Sequence, residues 1–371
     1  MVISREEAHL TVIAIPVLLS LLAAIGCTSV AVDVSFELPA EISLPNIRTL
    51  GVVEFALAPG DQVDSPTCGQ DLTEELSQAI QDKRHFGFVE RADLEAAIRE
   101  EQLSLSDLFE NSAEAQKLGR KVRADGLILG RIKVYHYGEQ LFEPRPTWFD
   151  RYLRPLAFWL DAADREPRTY IHTRTGEAKV HVSLKVLDVT SGCDLAIKNP
   201  YCELTEEQTA RNADPPPNDQ IDLFRRCRLA IVEEYADAIS PYRKKEDVRF
   251  RTGGAYCFRR LLRGIGLVDP NELEQGIDFV RHGNWSHALE VFEAAATQAA
   301  ADDDRIGRGK ALWNVALTHT CRNDFQKARD VLHEAWSLMP DESQAYSKTL
   351  RWIRRREAEM RKLDLQLNTH D

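Results

Sequence analysis

Apolar residues in the first third of the chain change their period several times, and each change marks an element. In FGFVERADLEAAIREEQLSLSDLFENSAEAQKLGRKVRADGLILGRIKVYHY, residues 86–137, a short apolar run of Phe86, Phe88 and Val89 predicts a buried strand edge. Leu94, Ala97 and Ile98 then repeat at i, i+3, i+4, and Ala115, Leu118 and Val122 at i, i+3, i+7, which predicts two helices with one apolar stripe each. Leu127, Ile128 and Leu129 are contiguous, as in a strand buried on both faces at the centre of a helix-covered sheet. The unit reads strand, helix, helix, strand.

The flanking sequence extends the same layering. RTLGVVEF, residues 48–55, predicts a first strand, and Leu72, Leu76, Ala79 and Ile80 put a core-facing stripe on a helix from Cys68 to Lys83. Val180, Val182, Leu184 and Val186 alternate with Lys179, His181, Ser183 and Lys185, the period of a strand with one buried face. Thr190-Ser191-Gly192 predicts a turn, with residues 195–197 starting a returning strand. TEEQTARNADPPPNDQ, with three consecutive prolines, reads as a turn, and Phe224, Cys227, Ile231 and Ala238 place a helix over residues 219–239.

Residues 138–176 break the pattern. Trp148, Phe149, Tyr152, Phe158 and Trp159 are interleaved there with Arg145, Arg151 and Arg154, a composition that suits a lipid headgroup layer or a protein interface. The alternative is an aromatic loop folded onto its own domain. Pro144, Pro146 and Pro155, and the lack of strict alternation, argue against membrane-spanning strands.

After a linker over residues 246–268, preceded by Arg243-Lys244-Lys245 and containing Gly253-Gly254, the period becomes helical to the end. GIDFVRHGNWSHALEVFEAA resembles a tetratricopeptide repeat, with Gly276, Phe279, Trp285, Ala288, Phe292 and Ala295 at its small and large positions. Ala316, Phe325, Ala328, Leu332, Ala335 and Pro340 mark a second copy. Ala288 and Ala328 are offset by more than the usual ~34 residues, and the acidic insert at residues 300–304 accounts for the excess. A charged helix over residues 343–365 reads as the cap. The resemblance implies a protein-binding groove, which Arg281, Lys310, Trp313 and Leu317 would face.

The order "VER…L…AI.EEQ", then "A..LG....ADGLILG", then "VSLKVLDVTSG", resembles the curli-secretion channel (CsgG-like) superfamily over roughly residues 45–245. That superfamily includes lipoprotein activators of penicillin-binding proteins and the N-terminal domain of TolB. The resemblance implies an α/β three-layer sandwich with a mixed sheet over residues 46–245, followed here by the all-α repeats of residues 269–371. It also implies a non-catalytic envelope role with protein partners, or alternatively an oligomeric export-channel subunit. Two hairpins cross the membrane in the channel members, and neither corresponding stretch of this sequence has the required pattern.

Residues 10–26 form an uncharged apolar run, and Ala24-Ile25-Gly26-Cys27 resembles a bacterial lipobox. Residues 1–26 then read as a signal peptide, or alternatively as an uncleaved anchor. Cys27 is the lipidation site and the membrane contact, and residues 27–45, with Pro39 and Pro45, are a tether. Thr28 favours, by analogy, an outer-membrane destination facing the periplasm. The formal net charge of −12 argues against a nucleic-acid partner. There is no HExxH, GxSxG or Walker-type phosphate loop and no metal-spaced Cys/His cluster, so neither catalytic residues nor a metal or other cofactor is expected. Cys193 and Cys202 are too far apart along extended chain to pair, while Cys68, Cys227, Cys257 and Cys321 stay open candidates.

Overall fold

The computed structural model describes residues 29–142, 171–253 and 271–368, the side chains of residues 58–61 excepted. The chain divides into two units, one of residues 40–241 and one that joins residues up to 39 to residues 242–367. The first strand, β1 (Ser29–Leu38), belongs to the second, discontinuous unit.

In the contiguous unit, β2 (Thr49–Val52) and β3 (Ala56–Val63) lead into α1 (Cys68–Asp82). Strand β4 (Gly87–Phe88) is followed by α2 (Arg91–Glu100), α3 (Leu105–Glu110) and α4 (Ser112–Lys121). Strands β5 (Gly126–Phe142), β6 (Ile171–Asp188) and β7 (Tyr201–Arg211) precede α5 (Gln220–Ile239). The sheet order is β4-β2-β5-β6-β7, and β3 pairs with β5 beyond the end of β2. β2 runs parallel to β4 and β5, while β6 is antiparallel to both β5 and β7, so the sheet is mixed.

Both faces of this sheet are covered. Ile128, Ile132, Val180, Val182, Leu184 and Val186 pack with Leu72, Leu76 and Ile80 of α1 and Ile231 and Tyr235 of α5. Leu127, Leu129 and Leu187 pack on the other face with Leu94, Leu108 and Leu118 of α2–α4. This is the three-layer sandwich that the resemblance implies. The Ala124-Asp125-Gly126 step joins helix layer to sheet: Asp125 Oδ2 accepts from the amides of Arg48 (3.0 Å) and Thr49 (2.9 Å), pinning the start of β2. Gly126 leaves room for Ile47, whose Cδ1 would lie 2.8 Å from an added Cβ.

Several boundaries differ from those expected. The tether is in fact strand β1, with Val32, Val34, Phe36 and Leu38 buried on alternate positions; its partner lies about 200 residues on, so no local hairpin signal betrays it. That partner, β8 (Tyr242–Arg251), takes up the basic residues ahead of the linker and the first part of the linker itself. The expected insert is shorter than residues 138–176, because β5 runs to Phe142 and β6 begins at Ile171. The first part of the expected turn over residues 205–220 is strand β7, which pairs with β6 as far as Ile171↔Arg211; the three prolines only follow it. Residues 195–197 contribute no full strand, only flank the bridges Leu184↔Lys198 and Leu187↔Asp194.

The second unit holds the antiparallel ribbon of β1 and β8 and two helix pairs: α6 (Glu272–Arg281) with α7 (Trp285–Ala301), and α8 (Arg305–Cys321) with α9 (Phe325–Leu338). The long α10 (Ser343–Asn368) ends the array. Asn271, Asn284 and Asp304 cap α6, α7 and α8 by accepting from Glu274, His287 and Gly307 amides. Small residues set the helix spacing: a Cβ on Gly276 would lie 2.3 Å from the Phe292 ring, and Ala288, Ala316, Ala328 and Ala335 are wholly buried. Among the described residues no helix is long and apolar enough to cross a membrane.

Candidate functional site

The parallel strands β2 and β4 end side by side, and the chain leaves them for opposite faces of the sheet. In open α/β sheets such a reversal opens a crevice at the carboxyl ends of the strands. Here two hollows of about 560 and 250 Å³ flank Arg91, the first residue of α2. The Arg91 guanidinium donates to Glu95 (2.7 Å) and to Glu74, and Glu54 lies 3.9 Å away. Partial burial works against its charge, but the Glu74 and Glu95 hydrogen bonds outweigh that and raise its pKa. The same guanidinium holds the Glu74 carboxyl below its usual range. Thr73 and Ser77, the hydroxyls lining the larger hollow, donate to the carbonyls of Gly69 and Thr73. The crevice is an acidic surface organised by one arginine.

Residues 41–140 match the family model described as curli production assembly/transport component CsgG. No curated protein matches the chain. Among solved structures, the PelC dodecamer from Paraburkholderia phytofirmans is 11% identical, with 56% of this chain and 98% of that one covered at a TM-score of 0.26. Lipoprotein GNA1162 from Neisseria meningitidis is 10% identical, covering 51% and 99% at 0.27. The hypothetical protein CT253 from Chlamydia trachomatis is 10% identical, covering 51% and 98% at 0.25.

Past the core of this unit, β5, β6 and β7 continue as a three-stranded ribbon. One face carries Glu139, Arg174 and Glu206, the other Lys179, Glu177, Glu203 and Glu207, as the register dictates. Glu139 accepts from the Asn218 amide (3.0 Å), Arg174 Nη1 (3.1 Å) and the Tyr137 hydroxyl (3.1 Å), tying the proline-rich loop before α5 to the ribbon. The Asn218 amide is the largest cause holding the Glu139 carboxyl below its usual range. Burial, reinforced by Glu139, pushes the Tyr137 hydroxyl up to about 12. Deeper in, Arg228 of α5 makes a bidentate pair with Glu75 of α1 and donates to the Tyr135 hydroxyl (2.8 Å), bridging both helices to the sheet.

The four expected groove residues do not form one open site. Trp313 and Leu317 sit on α8 as expected, but both are buried, because the ribbon of β1 and β8 packs on α6 and α8, the first helix of each pair. The chain thus lays its own extended strands on the surface expected to take a partner peptide. Asn314, wholly buried, reads the backbone of Arg251: its Oδ1 accepts from the Arg251 amide (2.7 Å) and its Nδ2 donates to the Arg251 carbonyl (2.9 Å). The Arg251 guanidinium lies over the Trp313 ring (4.6 Å) and forks onto Glu342 (3.2 and 2.9 Å). On the other strand, buried Arg356 of α10 covers the Phe36 ring (4.2 Å) and pairs with Glu359 (2.6 Å). What remains open there is a hollow of about 390 Å³, with Arg249, Lys348, Thr349 and Trp352 on its walls. Lys310 lines a separate hollow with Asn271, Asp302 and Asp304, and Arg281 pairs with Asp278 on its own helix.

Cys27 and the residues Trp148, Phe149, Arg151, Tyr152, Arg154, Phe158 and Trp159 lie outside the described residues. Sequence reasoning overlooked Arg91 and Asn314 as organising residues. Arg91 was visible inside the VER motif, whereas Asn314 is indistinguishable from any other polar helix residue until its strand partner is known. Among the described residues no group of three or more His, Cys, Asp or Glu side chains is arranged to hold a metal ion.

Proposed function

We propose that the protein is a non-catalytic, lipid-anchored component of a bacterial cell envelope, facing the periplasm, that binds protein partners in assembly, regulation or secretion. The observation that carries this reading is the match of residues 41–140 to a curli assembly/transport family. The lipobox-like Ala24-Ile25-Gly26-Cys27 supports the anchor. Because β1 and β8 cover much of the repeat surface, our reading assigns partner contact to the aromatic insert carrying Trp148 and Trp159. The test is crosslinking in cells followed by identification of captured proteins. Trp148→Ala combined with Trp159→Ala should reduce capture severalfold without changing thermal unfolding, and unchanged capture would refute the assignment. Cys27→Ser should abolish palmitate labelling and leave a slower-migrating precursor.

The export-channel reading predicts a detergent-soluble ring with ion conductance. Charges on both faces of the described ribbon count against it, since a charged side chain on the lipid face of a spanning strand costs up to ~2–4 kcal/mol for Arg or Lys at mid-membrane. Glu139 and Arg174 on one face and Lys179 and Glu203 on the other leave neither face apolar.

A further inference from the structure

Cys202 on β7 and Cys227 on α5 meet on the helix-covered side of the sheet. In the β6–β7 register Cys202 stands opposite Val180 and Leu204 opposite Ala178. The Cys227 Sγ lies 3.7 Å from the carbonyl oxygen of Ala178, whose cross-strand pair is next to that of Cys202 on the same face, and Cys202 packs against the apolar cluster that contains Cys227. Cys227 is wholly buried, whereas Cys202 is half-buried. Two thiols thus share one covered face, between a sheet's last strand and the helix that packs on it.

We propose that Cys202 and Cys227 join in a disulfide when the chain occupies an oxidising compartment, fastening β7 to α5. Its formation in cells rests on the envelope reading above, because cytosolic thiols are kept reduced. The chemistry has an order. Burial, with the neighbouring Cys202 thiol adding to it, pushes the Cys227 thiol up to about 12, so it stays protonated at neutral pH and does not start the exchange. Cys202, reachable from solvent, loses its proton to water and attacks one sulfur of an oxidant disulfide. That S–S bond breaks, one oxidant thiolate leaves, and a mixed disulfide forms on Cys202. Cys227 then gives up its proton as it is drawn onto the mixed disulfide and attacks the Cys202 sulfur as the thiolate. The new bond forms as the second oxidant thiolate departs with the Cys227 proton. Two thiols are oxidised by two electrons, and one oxidant disulfide is reduced to two thiols.

The bond would matter where it sits. β7 is the last strand on its side of the sheet, paired only with β6 among the described strands, and a strand with an open edge is a ready template for unwanted pairing. A covalent link to α5 holds it in register and constrains the unfolded chain as well.

The reduced, purified full chain should be incubated with oxidised glutathione, alkylated, and digested for mass spectrometry. The expected result is a linked peptide pair containing Cys202 and Cys227, absent from Cys202→Ser and Cys227→Ser. Reductant should lower the Tm of the oxidised wild type by several degrees and leave that of Cys202→Ser unchanged. A glutathione adduct that persists on Cys202, or a link from Cys202 to another cysteine, would overturn the proposal. Acid-trapping of thiols in cells separates the two readings: a link that forms in vitro but is missing in cells refutes the oxidising location and leaves the site intact.

Discussion

Asp125 illustrates how a single side chain can join two layers. Its carboxylate receives two backbone amides from residues 48 and 49, donors that no strand pairing satisfies. Asp125→Ala would strip both of their acceptor, and charge-assisted hydrogen bonds of this kind contribute roughly 1.5–3 kcal/mol each, less where solvent can replace them. Chemical denaturation should therefore show a loss of about 2–3 kcal/mol, with Asp125→Asn retaining part of it. Glu139 makes a pH-dependent contribution. Its folded pKa lies below the ordinary glutamate value of about 4.3, so the stability it adds is complete above that value and disappears as pH falls through the folded pKa. The Tm gap between wild type and Glu139→Gln should accordingly be constant from about pH 7 to about pH 5 and close below about pH 4. A gap that widened on acidification would mean that Glu139 is protonated in the native loop contact. Val182 tests the register of β6. It is wholly buried beneath α1 and α5, and Val182→Asp should cost several kcal/mol and unfold much of the protein at 37 °C, read by circular dichroism.

At the scale of elements, local signals were legible and distant pairings were not. The two stripes carrying Leu94 and Leu118 identify α2 and α4 because the residues that pack together lie within one or two turns of each other. The centre of the sheet is equally plain, since Leu127, Ile128 and Leu129 need cover on both faces wherever the partner strands come from. By contrast, Val32, Val34, Phe36 and Leu38 show a strand's alternation, but nothing near them in sequence completes the hairpin, and the prolines that follow resemble a tether. β7 was obscured in the same way: its alternation of Glu203, Thr205, Glu207 and Thr209 with half-buried residues contains few apolar side chains to announce a strand. For the candidate groove, Trp313 and Leu317 lie on the face of α8 against which the chain's own β8 packs, and helix position alone does not reveal that strand. Asn314 is the residue that grips it. Asn314→Ala leaves the Arg251 amide and carbonyl without their buried partner, at about 1–3 kcal/mol for each orphaned group. Hydrogen exchange should speed selectively at the end of β8 and in β1, while the sheet of β2–β7 keeps its protection.

For the whole molecule, the decisive feature is that one unit is continuous in sequence and the other is not. Residues 40–241 contain every strand of the mixed sheet and both helix layers, so a fragment with those limits should fold alone, with cooperative unfolding and near-ultraviolet dichroism. Residues 242–368 should not do so as well, because the helix array buries Val32, Val34 and Phe36 from a segment that lies before the α/β unit in the chain. Without β1, the apolar edge formed by Val248, Phe250, Ile277 and Trp313 is open to water. At about 25 cal/mol per Å² of apolar surface, uncovering these side chains forfeits several kcal/mol, a large share of the stability of a small array. A synthetic peptide of residues 29–39 added to the 242–368 fragment should raise its Tm in proportion to the logarithm of peptide concentration. The same peptide with Val34→Asp and Phe36→Asp should have no effect, since the two charges fall on buried positions. A 242–368 fragment that unfolds cooperatively at the same temperature with and without the wild-type peptide would show that β1 merely rests on the helices. A shift with the wild-type peptide alone would show that this chain completes its repeat unit with the strand that begins two residues after Cys27.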